Sequence, residues 1–224
     1  MPRLLVLTAV DVEARGLARQ LGLTAAGGPF ARFSGGGLEI VAVGLGAAHL
    51  EARVPAPAAS TLVVSAGACG ALAPELAVGA LIVPEVVVTA DGARHPVSAV
   101  AGLTRRGALL SVAHVVADAA EKSRLWLASG ALAVDMESAP ILAWARARGL
   151  AAVVVRGVSD SAARGVPADL ARVVHEDGRL RPLRAVSAVL ARPGALADAM
   201  ALRAGTAAAL KTVAAALATL QRTS

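Results

Sequence analysis

The sequence predicts an α/β fold, a mixed sheet flanked by helices in a single domain. Short apolar runs without a helical stripe recur at 3–9, 38–43, 61–66, 80–89, 131–134 and 151–157, as expected for strands buried on both faces. Segments of helical character lie between several of them, at 12–21, 117–129 and 137–148, and the last two stop at Gly130 and Gly149. The 224 residues, 56% of them hydrophobic, are enough for one core and do not force a division. Strands alternating with helices build parallel or mixed sheets covered on both faces.

Each element has its own justification. In 3–9 the run RLLVLTA is apolar and too short for a helix, and Asp11 is placed to cap the helix 12–21. The strand 38–43 ends in the turn Gly44–Leu45–Gly46, and Pro55 and Pro57 mark a linker. The strand 61–66 runs into a glycine turn, Gly67 to Gly70. Pro84 interrupts 80–89, and a further apolar run spans 108–116. A helical tail runs from about 183 to 221, broken at Pro193–Gly194, and completes a domain covering 1–224.

Composition excludes several classes. One cysteine, Cys69, rules out a disulfide scaffold, and a mean hydropathy of +0.65 rules out a disordered chain. The longest uncharged stretch, 54–74, carries three prolines, and Arg192, Asp198, Arg203 and Lys211 interrupt the tail, so no spanning helix is expected. The apolar run 4–7 is too short for a signal peptide, which makes the cytoplasm the expected location. The net charge of +6 is scattered, with no basic stripe interleaved with aromatics, so nucleic acid is not an expected partner. Weak attraction to an anionic membrane surface stays open.

In sheets of this kind, ligands bind beyond the carboxyl ends of strands. Asp11 and Glu13 follow the first strand, and the glycine turn follows 61–66. Asp135, Met136 and Glu137 follow 131–134, and Ser159 and Asp160 follow 151–157. Only sixteen acids occur in the chain, so three acidic clusters on one sheet edge are informative. Converging carboxylates suit reactions that need an acid and a base, such as cleavage at an anomeric carbon. Each residue also has a structural alternative. Glu13 and Glu137 suit first helical turns, and Asp135 and Asp160 suit caps or turns. Arg156, near the end of a buried strand, needs an acidic partner. His49, His95, His114 and His175 lack metal-ligand spacing, Cys69 reads as a small packing residue, and Gly44–Gly46 lacks the third glycine of a dinucleotide fingerprint. Neither a metal nor a cofactor is expected.

The runs 133–138 (AVDMES) and 155–160 (VRGVSD) resemble the signature of the nucleoside phosphorylase and nucleosidase superfamily. The run 63–74 (VVSAGACGALAP), with Val78–Gly79, resembles its central glycine segment, and 7–13 (LTAVDVE) resembles the opening of methylthioadenosine/adenosylhomocysteine nucleosidases. Together these matches span 3–162. In the tail, 176–182 (EDGRLRP) and 191–194 (ARPG) resemble the hopanoid-associated branch, which is thought to remove adenine from adenosylhopane. The resemblance implies a three-layer nucleoside phosphorylase-like fold and a homodimer that cleaves the N-glycosidic bond of a purine nucleoside. By position it makes Asp160 the acid that protonates the purine and Glu13 the base that activates water. Glu137 would bind the ribose hydroxyls and Met136 would pack on the sugar. Arg156 and Ser159 would position the carboxylates, and Gly67 and its following segment would lie near the ribose.

The chain departs from that pattern at three places. Ala68 stands where such nucleosidases carry a serine that helps hold water, Asp135 replaces a more usual Glu, and no aromatic stands near Val115 and Val116, where the purine is often stacked. Hexameric phosphorylases carry an arginine just before the glycine run, where this chain has Ser65, and lack an acid at Glu13. A carboxylate repels an incoming phosphate but takes a proton from water, so hydrolysis is favoured. The alternatives are a phosphate-dependent phosphorylase of the same fold and a nucleoside-binding protein without catalysis.

Overall fold

The computed structural model describes residues 4–54, 56–165 and 195–223. The tail motifs at 176–182 and 191–194, and the first part of the expected tail, lie outside the described residues.

Among the described residues, eleven strands form one mixed sheet. Its parallel centre is β4 (Leu38–Ala42), β1 (Leu4–Thr8), β5 (Leu62–Ala71) and β11 (Ala152–Asp160). These strands are Val-, Leu- and Ala-rich, and Leu4 to Leu7, Val63, Val64 and Val153 to Val155 are buried. Along the same edge of β5 as β1, but beyond its end, comes β10 (Ala133–Asp135), followed outward by β9 (Ala108–Ser111), β7 (Val86–Thr89) and β8 (Arg94–Pro96). The other end is a meander of β2 (Thr24–Ala25) and β3 (Arg32–Gly35) on β4, and β6 (Leu81–Ile82) pairs with β11.

Helix α1 (Asp11–Gln20) follows β1, and a single turn, α2 (Leu50–Arg53), follows β4. Helix α3 (Ala119–Ser129) starts on Asp118, whose side chain accepts from the Ala120 N–H, and ends at Gly130 in the left-handed conformation. Helix α4 (Ser138–Ala147) presents Ile141, Leu142, Trp144 and Ala145 to the core. The last helix, α5 (Ala195–Thr223), is long and apolar enough to cross a membrane by length and composition. Here it lies along β11, with Val213, Leu217 and Leu220 buried. The approach is close: a Cβ at Gly157 of β11 would stand 2.4 Å from the Ala209 carbonyl oxygen of α5.

Several expected boundaries move. The glycine segment is not a turn, because β5 runs through it to Ala71. Its small residues stay extended because β11 pairs alongside, Arg156 opposite Gly67 and Asp160 opposite Gly70, and the ladder overrides glycine's weak strand preference. For the same reason β11 reaches Asp160, which is a strand end and not part of a turn. Asp11 does not cap α1. Val10 holds that position, and Asp11 sits in the first turn with its carboxylate 3.2 Å from Arg15. The run 80–89 divides into β6 and β7 around Pro84, and β9 stops at Ser111.

One feature of the sheet creates the site. β5 pairs with β1 only through Ser65, and with β10 only from Gly70. Between those points its other edge stays joined to β11. The backbone from Ala66 to Cys69 therefore faces a split in the sheet, where strand neighbours change.

Candidate active site

The split needs partners for exposed backbone groups, and Glu13 supplies one. Its Oε1 accepts from the Ala68 N–H at 2.8 Å, and its Oε2 accepts from Ala9 N–H at 3.1 Å and Val10 N–H at 3.3 Å. The carboxylate thus closes the first turn of α1 and caps the gap in β5 together. Gly67 has φ +150°, and a Cβ there would lie 2.6 Å from Glu13 Oε1 and 2.9 Å from Arg156 Nη1. A side chain at that position would push the carboxylate out of place.

Arg156 lies in the middle of β11 and is fully buried. One terminal nitrogen stands 2.8 Å from Asp135 Oδ2 and 3.7 Å from Glu137 Oε2, and it donates to Ser65 Oγ at 2.9 Å. The other donates to the Ala68 carbonyl at 3.4 Å. Asp135 also accepts from the backbone N–H of Ser138 at 3.2 Å and from its hydroxyl, so it closes the N-terminus of α4 as well. Glu137 Oε1 accepts from the Gly46 N–H at 3.1 Å, which draws the turn after β4 toward the same point.

Asp160 is held differently. Its Oδ2 pairs with the ammonium of Lys122 from α3, and its Oδ1 receives Ser159 Oγ at 2.6 Å. Ser159 Oγ is also 3.1 Å from the Cys69 carbonyl oxygen. Lys122 is fully buried and donates further to the carbonyls of Ser161 at 2.9 Å and Arg164 at 2.8 Å.

These groups border a cavity of about 270 Å³. Of the residues singled out in the sequence, Glu13, Ala68, Val116, Met136, Glu137, Ser159 and Asp160 line it. Arg156 and Gly67 do not: Arg156 lies within the protein against the carboxylates, and Gly67 lies against Glu13. Val10, Leu45 and Leu202 are further wall residues that sequence reasoning passed over, and Cys69 and His114, read there as a packing residue and as a histidine without ligand spacing, line the wall as well. His114 puts a planar ring near Val115 and Val116, bonded through Nε2 to Glu121 at 2.8 Å. A search for Phe, Tyr and Trp does not find it. Lys122 was also missed, although a signal existed: the chain has 22 basic residues and uses lysine for only two of them, Lys122 and Lys211.

The electrostatics follow from burial and counting. Desolvation pushes Glu137 up from the ordinary carboxyl value to about 7. Arg156 and the Gly46 N–H oppose the rise, and Asp135 and Glu13 reinforce it. Glu13 is also raised by burial, against the pull of Arg156 and three backbone N–H groups. Arg156 loses some basicity to burial, but its three carboxylates more than restore it. Burial raises the Cys69 thiol well above its usual range, so it stays a neutral wall group. Four carboxylates but no lysine or arginine border the cavity among the described residues. Such a lining suits a neutral polyol and a protonatable heterocycle and opposes an anion. Among the described residues, no three His, Cys, Asp or Glu side chains are grouped to hold a metal ion.

Comparison with known proteins agrees with this architecture. Residues 98–192 match the family model of the phosphorylase superfamily. No curated protein matches the chain. Among solved structures, futalosine hydrolase of Helicobacter pylori aligns over 98% of this chain and 97% of its own, with a TM-score of 0.68 and 18% identity. The 5′-methylthioadenosine/S-adenosyl homocysteine nucleosidase of Helicobacter pylori aligns over 98% and 97%, with a TM-score of 0.67 and 17% identity. That of Neisseria meningitidis, in complex with methylthio-immucillin-A, aligns over 98% of both chains at 0.66 and 16%. The chain therefore has the α/β fold seen in these nucleosidases and carries the phosphorylase-superfamily pattern in residues 98–192.

Proposed function

We propose that the protein hydrolyses the N-glycosidic bond of a purine nucleoside bearing a 5′-substituent and releases the free base. The observation that carries this reading is the convergence of Glu13, Glu137 and Asp160 on one cavity that no lysine or arginine borders among the described residues. The likeness of the fold to nucleosidase structures supports it.

In this reading Asp160 gives a proton to the purine as the C1′–N9 bond breaks, and the bonding electrons leave with the base. An oxocarbenium-like ribosyl group develops, with its hydroxyls held by Glu137. Water attacks C1′ and gives its proton to Glu13, whose burial-raised carboxyl suits the role of acceptor. Carboxylates without a lysine or arginine on the described wall favour water over phosphate as nucleophile.

Adenine is the proposed base. The resemblance of 176–182 and 191–194 to the hopanoid-associated branch supports adenosylhopane as the substrate. In this reading the nucleoside portion occupies the cavity of about 270 Å³ and a polycyclic 5′-chain extends out of it.

Chromatography of base release from adenosine, inosine and 5′-substituted adenosines, with and without phosphate, tests the proposal. Adenine release without phosphate is the expected result. Release only with phosphate makes the enzyme a phosphorylase, and no release from any nucleoside, adenosylhopane included, overturns the catalytic reading.

A further inference from the structure

Resting on that reading, we propose that Lys122 is the positioning residue for Asp160: it fixes which oxygen carries the transferable proton and balances the charge left when the proton departs. An ammonium has three N–H groups and accepts nothing. Lys122 directs them at Asp160 Oδ2, the Ser161 carbonyl and the Arg164 carbonyl, so none is spare. Oδ2, which faces the ammonium, is thereby the less favourable site, and a proton on Asp160 belongs on Oδ1.

Ser159 fits both states of that oxygen. Its single hydroxyl hydrogen lies between two acceptors, Asp160 Oδ1 at 2.6 Å and the Cys69 carbonyl at 3.1 Å. When Asp160 is ionised, Ser159 donates to Oδ1. When Oδ1 is protonated, Asp160 donates to Ser159 and the hydroxyl turns to Cys69. On transfer, the O–H bond at Oδ1 breaks, an N–H bond forms on the purine, and a carboxylate faces the ammonium of Lys122. That ion pair is strongest after the proton has left, so it stabilises the transition state more than the bound substrate.

The anchor is built for a lysine. Lys122 reaches Asp160 across 38 residues, and Gly70 gives it room: a Cβ there would stand 3.2 Å from Asp160 Oδ2 and 3.6 Å from Lys122 Cε. A planar guanidinium cannot direct three N–H groups along the same tripod. The other titratable or charged groups near Asp160 are Cys69 of β5, Arg164 paired with Asp198 of α5, and His114 paired with Glu121, with Asp135, Glu137 and Glu13 also on the cavity wall.

The test compares pH–rate profiles of base release, with kcat and KM separated, for the wild type, Lys122→Met, Lys122→Gln and Lys122→Arg. Lys122→Met is expected to lower kcat by about 10²-fold and leave KM within about threefold, as for loss of a charge made useful only in the transition state. It should also move the alkaline limb of the pH–rate profile to higher pH, because the site loses a positive charge. Lys122→Arg, which keeps the charge, should restore the limb while recovering only part of kcat. If Lys122→Met does not fold, Lys122→Gln against Lys122→Arg gives the same comparison. Profiles that all coincide with the wild type, in variants that are folded and active, overturn the role of Lys122 alone. A wild type that releases no base overturns the functional reading and this role with it.

Discussion

The two ends of the cavity solve one problem in opposite ways. At the Glu13–Glu137 end, Arg156 faces Glu13, Asp135 and Glu137, so negative charge is in excess and burial drives Glu137 up to about 7. At the other end, Lys122 faces Asp160 one to one. An uncompensated carboxyl is ready to take up a proton, whereas a compensated one is stabilised once it has given its proton away. In the proposed mechanism one cavity thus holds an acceptor and a donor of the same side-chain chemistry, distinguished by the ratio of cations to anions.

The largest expected effect comes from breaking the balanced end. Asp160→Asn should lower kcat by about 10³-fold, within the usual range for loss of a general acid. It should also cost about 3 kcal/mol of stability, because Lys122 is left as a buried ammonium without its counter-charge. Adding Lys122→Met should restore much of the urea midpoint and none of the turnover. A single variant that turns over within tenfold of the wild type would remove Asp160 from the donor role.

The second effect is at the acid-rich end. In Glu13→Gln the amide presents N–H₂ where one carboxylate oxygen accepted backbone N–H groups, either from Ala68 or from Ala9 and Val10. The expected loss is about 1–2 kcal/mol of stability from an unsatisfied donor. Turnover should fall about 10²-fold with KM nearly unchanged, read by steady-state base release. A variant with full turnover would leave water activation to another group.

How much of this was visible in the sequence depends on the range of each interaction. β1, β11 and the first half of β5 were visible because full burial makes them continuous apolar runs. β2, β3 and β8 were not, since short, polar strands at the sheet's ends carry no such signal. Glu13, Glu137 and Asp160 stood out because each follows a strand, and Arg156 because a buried arginine demands acids. The division of cations between them was hidden. Glu13 reaches Ala68 across 55 residues, and no local pattern announces such a contact. The continuation of β5 through Gly67 to Gly70 was hidden too, because pairing with β11 decides it and local preference points to a turn.

The last predicted effect needs no substrate and no loss of turnover, and it separates the two ends by thermodynamics alone. Glu137 holds its proton to about pH 7 in the folded protein but only to its ordinary value of 4.5 when unfolded. Between those values the folded state binds more protons than the unfolded one, so stability falls as pH rises through this window. Glu13, raised in the same direction, adds to the slope. Asp91 does not mask it, because a carboxyl lowered from 3.8 changes stability only below that value. A shift of this size corresponds to about 3 kcal/mol, shared among carboxyls that titrate as a coupled group. Urea unfolding should therefore give a higher midpoint at pH 5 than at pH 7.5, and Glu137→Gln should flatten the difference. A wild-type midpoint that rises over this interval would mean that Arg156 compensates all three acids, and the contrast between the two ends would then have to rest on geometry and not on charge.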